Sequence, residues 1–181
     1  MAKLVSKTYG EALFDLALED GTLTTIIEEV NVVKEAMKKN PDLLKLLSHP
    51  KIKKEEKISV IENIFKGRVS DSLVGFLVIV VQKDRYDDLD GIFKYFVAKV
   101  REYKNIGVAS ITSAVELAEE QKKQIEQRLL QTTKYSQFEL TFHVDKSLIG
   151  GLVIRIGDRV VDSSVKTKLQ MLAKDLRNAT V

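Results

Sequence analysis

Through the first hundred residues, apolar positions recur every three or four places; beyond them, they alternate with polar ones in shorter runs. Val5, Tyr9, Ala12, Leu13, Leu16 and Ala17 share one helical stripe, and Gly21 is placed to end it. A second helix runs through Leu23, Ile26, Ile27, Val30, Val33 and Met37. Asn40, as a cap, and Pro41 open a third helix over Leu43 to Leu47, which stops at Ser48-His49-Pro50. The fourth has a basic start, Lys51 to Lys57, and carries Ile58, Ile61, Ile64 and Phe65 to Gly67. Ser70 or Asp71 caps a fifth helix, Leu73 to Gln82, which is apolar on almost every side. After a turn at Lys83–Tyr86, a sixth carries Leu89, Ile92, Phe93, Phe96, Val97 and Val100. The pattern predicts a six-helix bundle with short connections.

The period changes around Lys104–Gly107. Val108 to Val115 predicts a strand, and Glu119 to Thr132 a helix with Ile125 and Leu129 turned inward. Phe138, Leu140, Phe142 and Val144 then alternate with Glu139, Thr141, His143 and Asp145, the mark of a half-buried strand. Leu152–Ile156 and Arg159–Asp162 flank Gly157–Asp158, which predicts a tight hairpin whose glycine supplies the positive φ of a primed turn. Ser163 or Ser164 caps a terminal helix with Val165, Leu169, Leu172 and Leu176 on one stripe. The predicted fold class is α+β: residues 1–105 form an N-terminal six-helix bundle, and residues 106–181 a small α+β domain with a β-hairpin and a terminal helix.

A chain of 181 residues that is 44 % hydrophobic has enough apolar mass for real cores, so it is not a disordered linker. Its formal charge of +3 demands neither a nucleic acid nor an anionic membrane. With no cysteine, it can have no disulfide, thiolate chemistry or cysteine-bound metal. The start, Met1 to Leu13, reads as helix and not as a signal peptide, and the apolar run at Leu77–Val81 is far shorter than the roughly 20 residues that span a bilayer. These features predict an intracellular protein that touches a membrane only through partners.

The candidate chemistry is thin. Gly150–Gly151 leads into a strand, whereas a phosphate cradle needs glycines at a strand-to-helix turn; these glycines predict a bulge or a close backbone approach. His49 and His143 are too far apart in sequence to imply a metal pair. Glu28–Glu29, Glu55–Glu56, Asp87–Asp88 and Glu119–Glu120 are sequence neighbours that do not share a helix face. Ser163 and Ser164 have no histidine at a suggestive spacing, and Lys51, Lys53, Lys54 and Lys57 lack the interleaved aromatics of a nucleic-acid platform. The sequence therefore predicts no catalytic residue, no metal site and no cofactor.

The run from Ile149 to Leu169, IGGLVIRIGDRVVDSSVKTKL, resembles the C-terminal signature of the delta subunit of F-type ATP synthases, the family whose mitochondrial member is the oligomycin-sensitivity-conferring protein. Gly150, Gly151, Gly157, Asp158, Asp162, Ser164 and Val165 carry it; Ser163 stands where glycine is common, and Lys166 and Lys168 stand where arginine is. Tyr9 to Ala17 resembles the family's opening helix, and Lys83-Asp84-Arg85 with Leu89, Ile92 and Phe96 its fifth-to-sixth helix passage. Ala118 departs from the Ser or Thr often found there, which weakens a cap.

The resemblance implies a non-catalytic stator subunit in the peripheral stalk, linking the catalytic α/β head to the b subunits. It implies that the first and fifth helices form a groove for the N-terminal helix of the α subunit. The groove candidates are Tyr9, Ala12, Leu13, Leu16, Phe76, Leu77 and Val80. It further implies that the C-terminal domain meets the C-terminal ends of the b subunits, and that the protein sits at the cytoplasmic face of a bacterial membrane, with no nucleic acid and no membrane insertion of its own. The competing class is a cytosolic helical adaptor unrelated to ATP synthesis.

Overall fold

The computed structural model describes residues 2–179. The helices α1 (Ala2–Glu19), α2 (Leu23–Lys39), α3 (Pro41–Ser48), α4 (Lys54–Phe65), α5 (Asp71–Gln82) and α6 (Leu89–Tyr103) come first. Strand β1 (Ile106–Ser113), α7 (Glu119–Thr132), β2 (Gln137–Val144), β3 (Leu152–Ile156), β4 (Arg159–Asp162) and α8 (Val165–Ala179) follow, giving a mixed helix-and-sheet protein. Two compact units, Met1–Val100 and Arg101–Val181, divide inside α6.

In the first unit the helical stripes meet in one core. Leu13, Phe14 and Ala17 of α1 join Ile26, Val30 and Val33 of α2, Leu43 and Leu47 of α3, Ile61 and Phe65 of α4, and Ile92, Phe93 and Phe96 of α6. Each large side chain so buried contributes roughly 1.5–3 kcal/mol. One local reading is corrected. Asn40 does not cap α3 with its side chain; its amide donates to the Ala36 carbonyl at 2.8 Å and closes α2 instead. In the basic run that opens α4, Lys57 is buried beneath the Tyr86 ring, and Lys54 donates to the Gln82 carbonyl and to Asp84, which pins the link between α5 and α6. That bond from Lys54 holds the Asp84 carboxyl below its usual range.

The second unit is built on a four-stranded sheet in the order β2-β1-β3-β4. β1 runs parallel to β2 through the α7 crossover and antiparallel to β3, and β3–β4 is the hairpin. Gly107, Ala109, Ile111 and Ser113 of β1 are buried, and Ala109 and Ile111 pack with Phe138 and Leu129 beneath α7. β1 begins and ends two residues earlier than its β-branched run predicts. Its end is set where both neighbours stop pairing, Ser113 lying opposite Val144 and Leu152, so Val115 hangs in solvent. The segment after α6 is held rather than loose: Asn105 accepts from the Ser136 amide at 2.9 Å and donates through its side chain to the Lys134 carbonyl at 2.6 Å.

Candidate docking surfaces

The sequence-predicted groove residues divide by burial. Leu13, Leu77 and Val80 have no exposed surface and Phe76 only 7 %, so in the free chain these four belong to the core of the first unit. Tyr9 and Leu16 are half-buried and Ala12 is exposed, forming with Val5 a continuous edge along α1. On α5 the outward stripe is Ser72, Gly75, Ile79 and Gln82, with Ile79 51 % exposed and open space around the Gly75 Cα. Ser72 donates to Asp20 at 3.3 Å, which holds the start of α5 at the end of α1. Ile79 was missed because α5 looks apolar all round. The signal that finds it is Ser72, Gly75 and Gln82, the small and polar residues that share its face.

The C-terminal signature residues form a clasp between the approach to β3 and the start of α8. The Val165 amide donates to the Gly150 carbonyl at 2.9 Å, and the Ser163 amide and hydroxyl both donate to the Leu152 carbonyl at 2.9 Å. Gly151 has φ +79°, and a Cβ there would lie 2.5 Å from the Ser163 carbonyl oxygen, so a side chain is excluded by conformation and by space. Ser164 is fully buried, and its hydroxyl accepts the Thr167 amide as the cap of α8. Asp162 accepts from the Ser164 amide and the Thr167 hydroxyl, each at 2.8 Å. These bonds, the Ser164 amide first, hold its carboxyl below the usual range. Gly157 and Asp158 sit apart from the clasp at the hairpin tip, where Gly157 takes φ +55°.

The clasp aims α8 so that its apolar stripe is left open. Leu169 is 52 % exposed and Leu172 59 %, and on the neighbouring strand Val161 is 60 % exposed. Lys166, Lys168, Lys174 and Arg177 flank the stripe. His49 and His143 are exposed. Among the described residues no cluster of three or more His, Asp or Glu could hold a metal ion, and no helix is long and apolar enough to cross a membrane. The surfaces can bury apolar area against partners.

Known proteins agree with this architecture. Residues 5–176 match the family described as ATP synthase delta (OSCP) subunit. The chain is 64 % identical over 176 residues to ATP synthase subunit delta of Lachnoclostridium phytofermentans, covering 97 % of each chain. It is 36 % identical to the protein of the same name from Alkalihalophilus pseudofirmus, over 95 % of this chain and 94 % of that one. Among solved structures, a chain of the Toxoplasma gondii mitochondrial ATP synthase hexamer shares the fold with a TM-score of 0.69 at 21 % identity, covering 94 % of this chain and 96 % of that one.

Proposed function

The chain belongs to the ATP synthase delta (OSCP) subunit family, and from that premise we propose which of its surfaces hold the complex together. It is a component of the peripheral stalk of an F-type ATP synthase and is not itself catalytic. In our reading, α1–α6 form a six-helix bundle within residues 1–105 that binds the N-terminal helix of the α subunit. Residues 106–181 bind the C-terminal ends of the b subunits. The bacterial relatives support a place at the cytoplasmic face of the cell membrane.

The observation that carries the reading is apolar surface open on one element of each unit, Ile79 on α5 and Leu169 with Leu172 on α8. An amphipathic helix laid along Tyr9, Ala12 and Leu16 of α1 and Gly75 and Ile79 of α5 would dock by the helix-in-groove mode. Leu13, Phe76, Leu77 and Val80 would support that groove from beneath. The absent side chain at Gly75 lets a partner backbone come close. On the other unit, the lysines and arginine beside the α8 stripe suit a helix end with acidic flanks.

Calorimetric titration with two synthetic peptides tests the assignment, one from the N-terminal end of the α chain and one from the C-terminal end of the b chain. Ile79→Asp is expected to weaken the α peptide by about thirtyfold or more while sparing the b peptide, and Leu172→Asp to do the reverse. A wild-type chain that binds neither peptide, or variants that lose both together, would overturn it.

A further inference from the structure

A groove of about 670 Å³ opens in the first unit between α2, α3, the 3-10 turn at Tyr86–Asp88 and the start of α6. That volume is in the range of small-molecule sites, roughly 300–1,000 Å³. Its floor is carbon: Met37 of α2 with Leu89 and Phe93 of α6, all buried, and its wall is Leu44 of α3 with the Tyr86 ring. Lys34 and Lys38, one turn apart on α2, stand on the rim on the same face as Met37.

The charges on the lining are unevenly committed. Glu35 accepts from Lys39 at 3.2 Å, and Asp90 pairs with Lys94 at 2.6 Å. Asp87, on the 3-10 turn, is exposed to water. Among the described residues, neither Lys34 nor Lys38 has a carboxylate within 4.0 Å. Two ammonium groups on one rim above an apolar floor are the complement of a molecule with one anionic head and a hydrocarbon or ring body.

We propose that this groove binds a small amphipathic organic anion, its carbon body against Met37, Leu89 and Phe93 and its head on Lys34 and Lys38. None of these residues lies on the two docking surfaces described above, so the site stands apart from the stator reading. A ligand here bridges α2, α3 and α6 and so stabilises the first unit by binding only its folded form.

The chain's methionines provide the test. Met37 lies in the floor, and Met171, on the exposed side of α8, serves as the internal control. With the full chain labelled at its methionine methyl groups, dodecanoate below its micelle concentration is titrated by NMR. The Met37 signal is expected to shift to saturation at concentrations that leave Met171 unmoved. Reversing both rim charges with Lys34→Glu and Lys38→Glu is expected to weaken the Met37 response roughly tenfold. The milder Lys38→Gln variant checks the result should the double reversal disturb α2. Neutral dodecanol is expected to bind at least tenfold more weakly than dodecanoate. The proposal is overturned by a Met37 signal that does not move, by Met37 and Met171 responding together, by charge variants that titrate as wild type, or by dodecanol binding as well as dodecanoate.

Discussion

Ser164 has no exposed surface, and its hydroxyl accepts the Thr167 amide, a donor in the first turn of α8 that no helical carbonyl can reach. Asp162 gathers the Ser164 amide and the Thr167 hydroxyl on its two oxygens, so three residues satisfy one another at the joint where β4 turns into α8. The charge on Asp162 is favoured in the folded chain, so its folded pKa lies below its unfolded value, near 3.8. The resulting stability is present above the unfolded pKa and is lost as pH falls through the folded one. Asp162→Asn, which keeps an acceptor and removes the charge, is therefore expected to lower the melting temperature near pH 6 and to converge on wild type in acid below the folded pKa. A melting difference equal under both conditions would show that the charge on Asp162 contributes nothing.

At the scale of the element, α5 decides between core and surface. Its inward residues Leu73, Phe76, Leu77 and Val80 are buried, and only the face of Gly75 and Ile79 opens outward. Phe76→Ala should accordingly act on folding, costing about 3–5 kcal/mol in chemical denaturation, the range for an emptied aromatic site in a packed core. If Phe76→Ala leaves stability within about 0.5 kcal/mol of wild type, Phe76 is surface and the division of α5 is wrong. The sequence showed that α5 is a helix because spacing fixes its period, but the inward side of an apolar helix is fixed by its neighbours. Leu73 and Ile79 look alike until α4 and α6 are in place. The same limit explains the end of β1, where Val115 has the right propensity but no strand beside it. Alternation and turn chemistry were legible where they are local, as at the Gly157–Asp158 hairpin and the Ser164 cap. In the basic start of α4, nothing local reveals that Lys57 lies beneath Tyr86, twenty-nine residues on. The open stripe of α8 was legible as a stripe; that it stays uncovered follows only from the clasp that aims the helix.

For the whole molecule, the consequence of the two proposed docking surfaces is mechanical. A stalk component that grips the head through one unit and the b subunits through the other resists torque only while both grips hold. Losing either lets the head turn with the shaft, so ATP is still hydrolysed but the turning is no longer transmitted. The direct measurement is made on membrane vesicles carrying the ATP synthase, with and without this subunit, following ATP hydrolysis and ATP-driven proton uptake side by side. The account predicts that removal leaves hydrolysis running and abolishes proton uptake. Adding back the purified chain should restore uptake, whereas a chain carrying both Ile79→Asp and Leu172→Asp should not. Vesicles that pump protons equally well without this subunit would contradict the account.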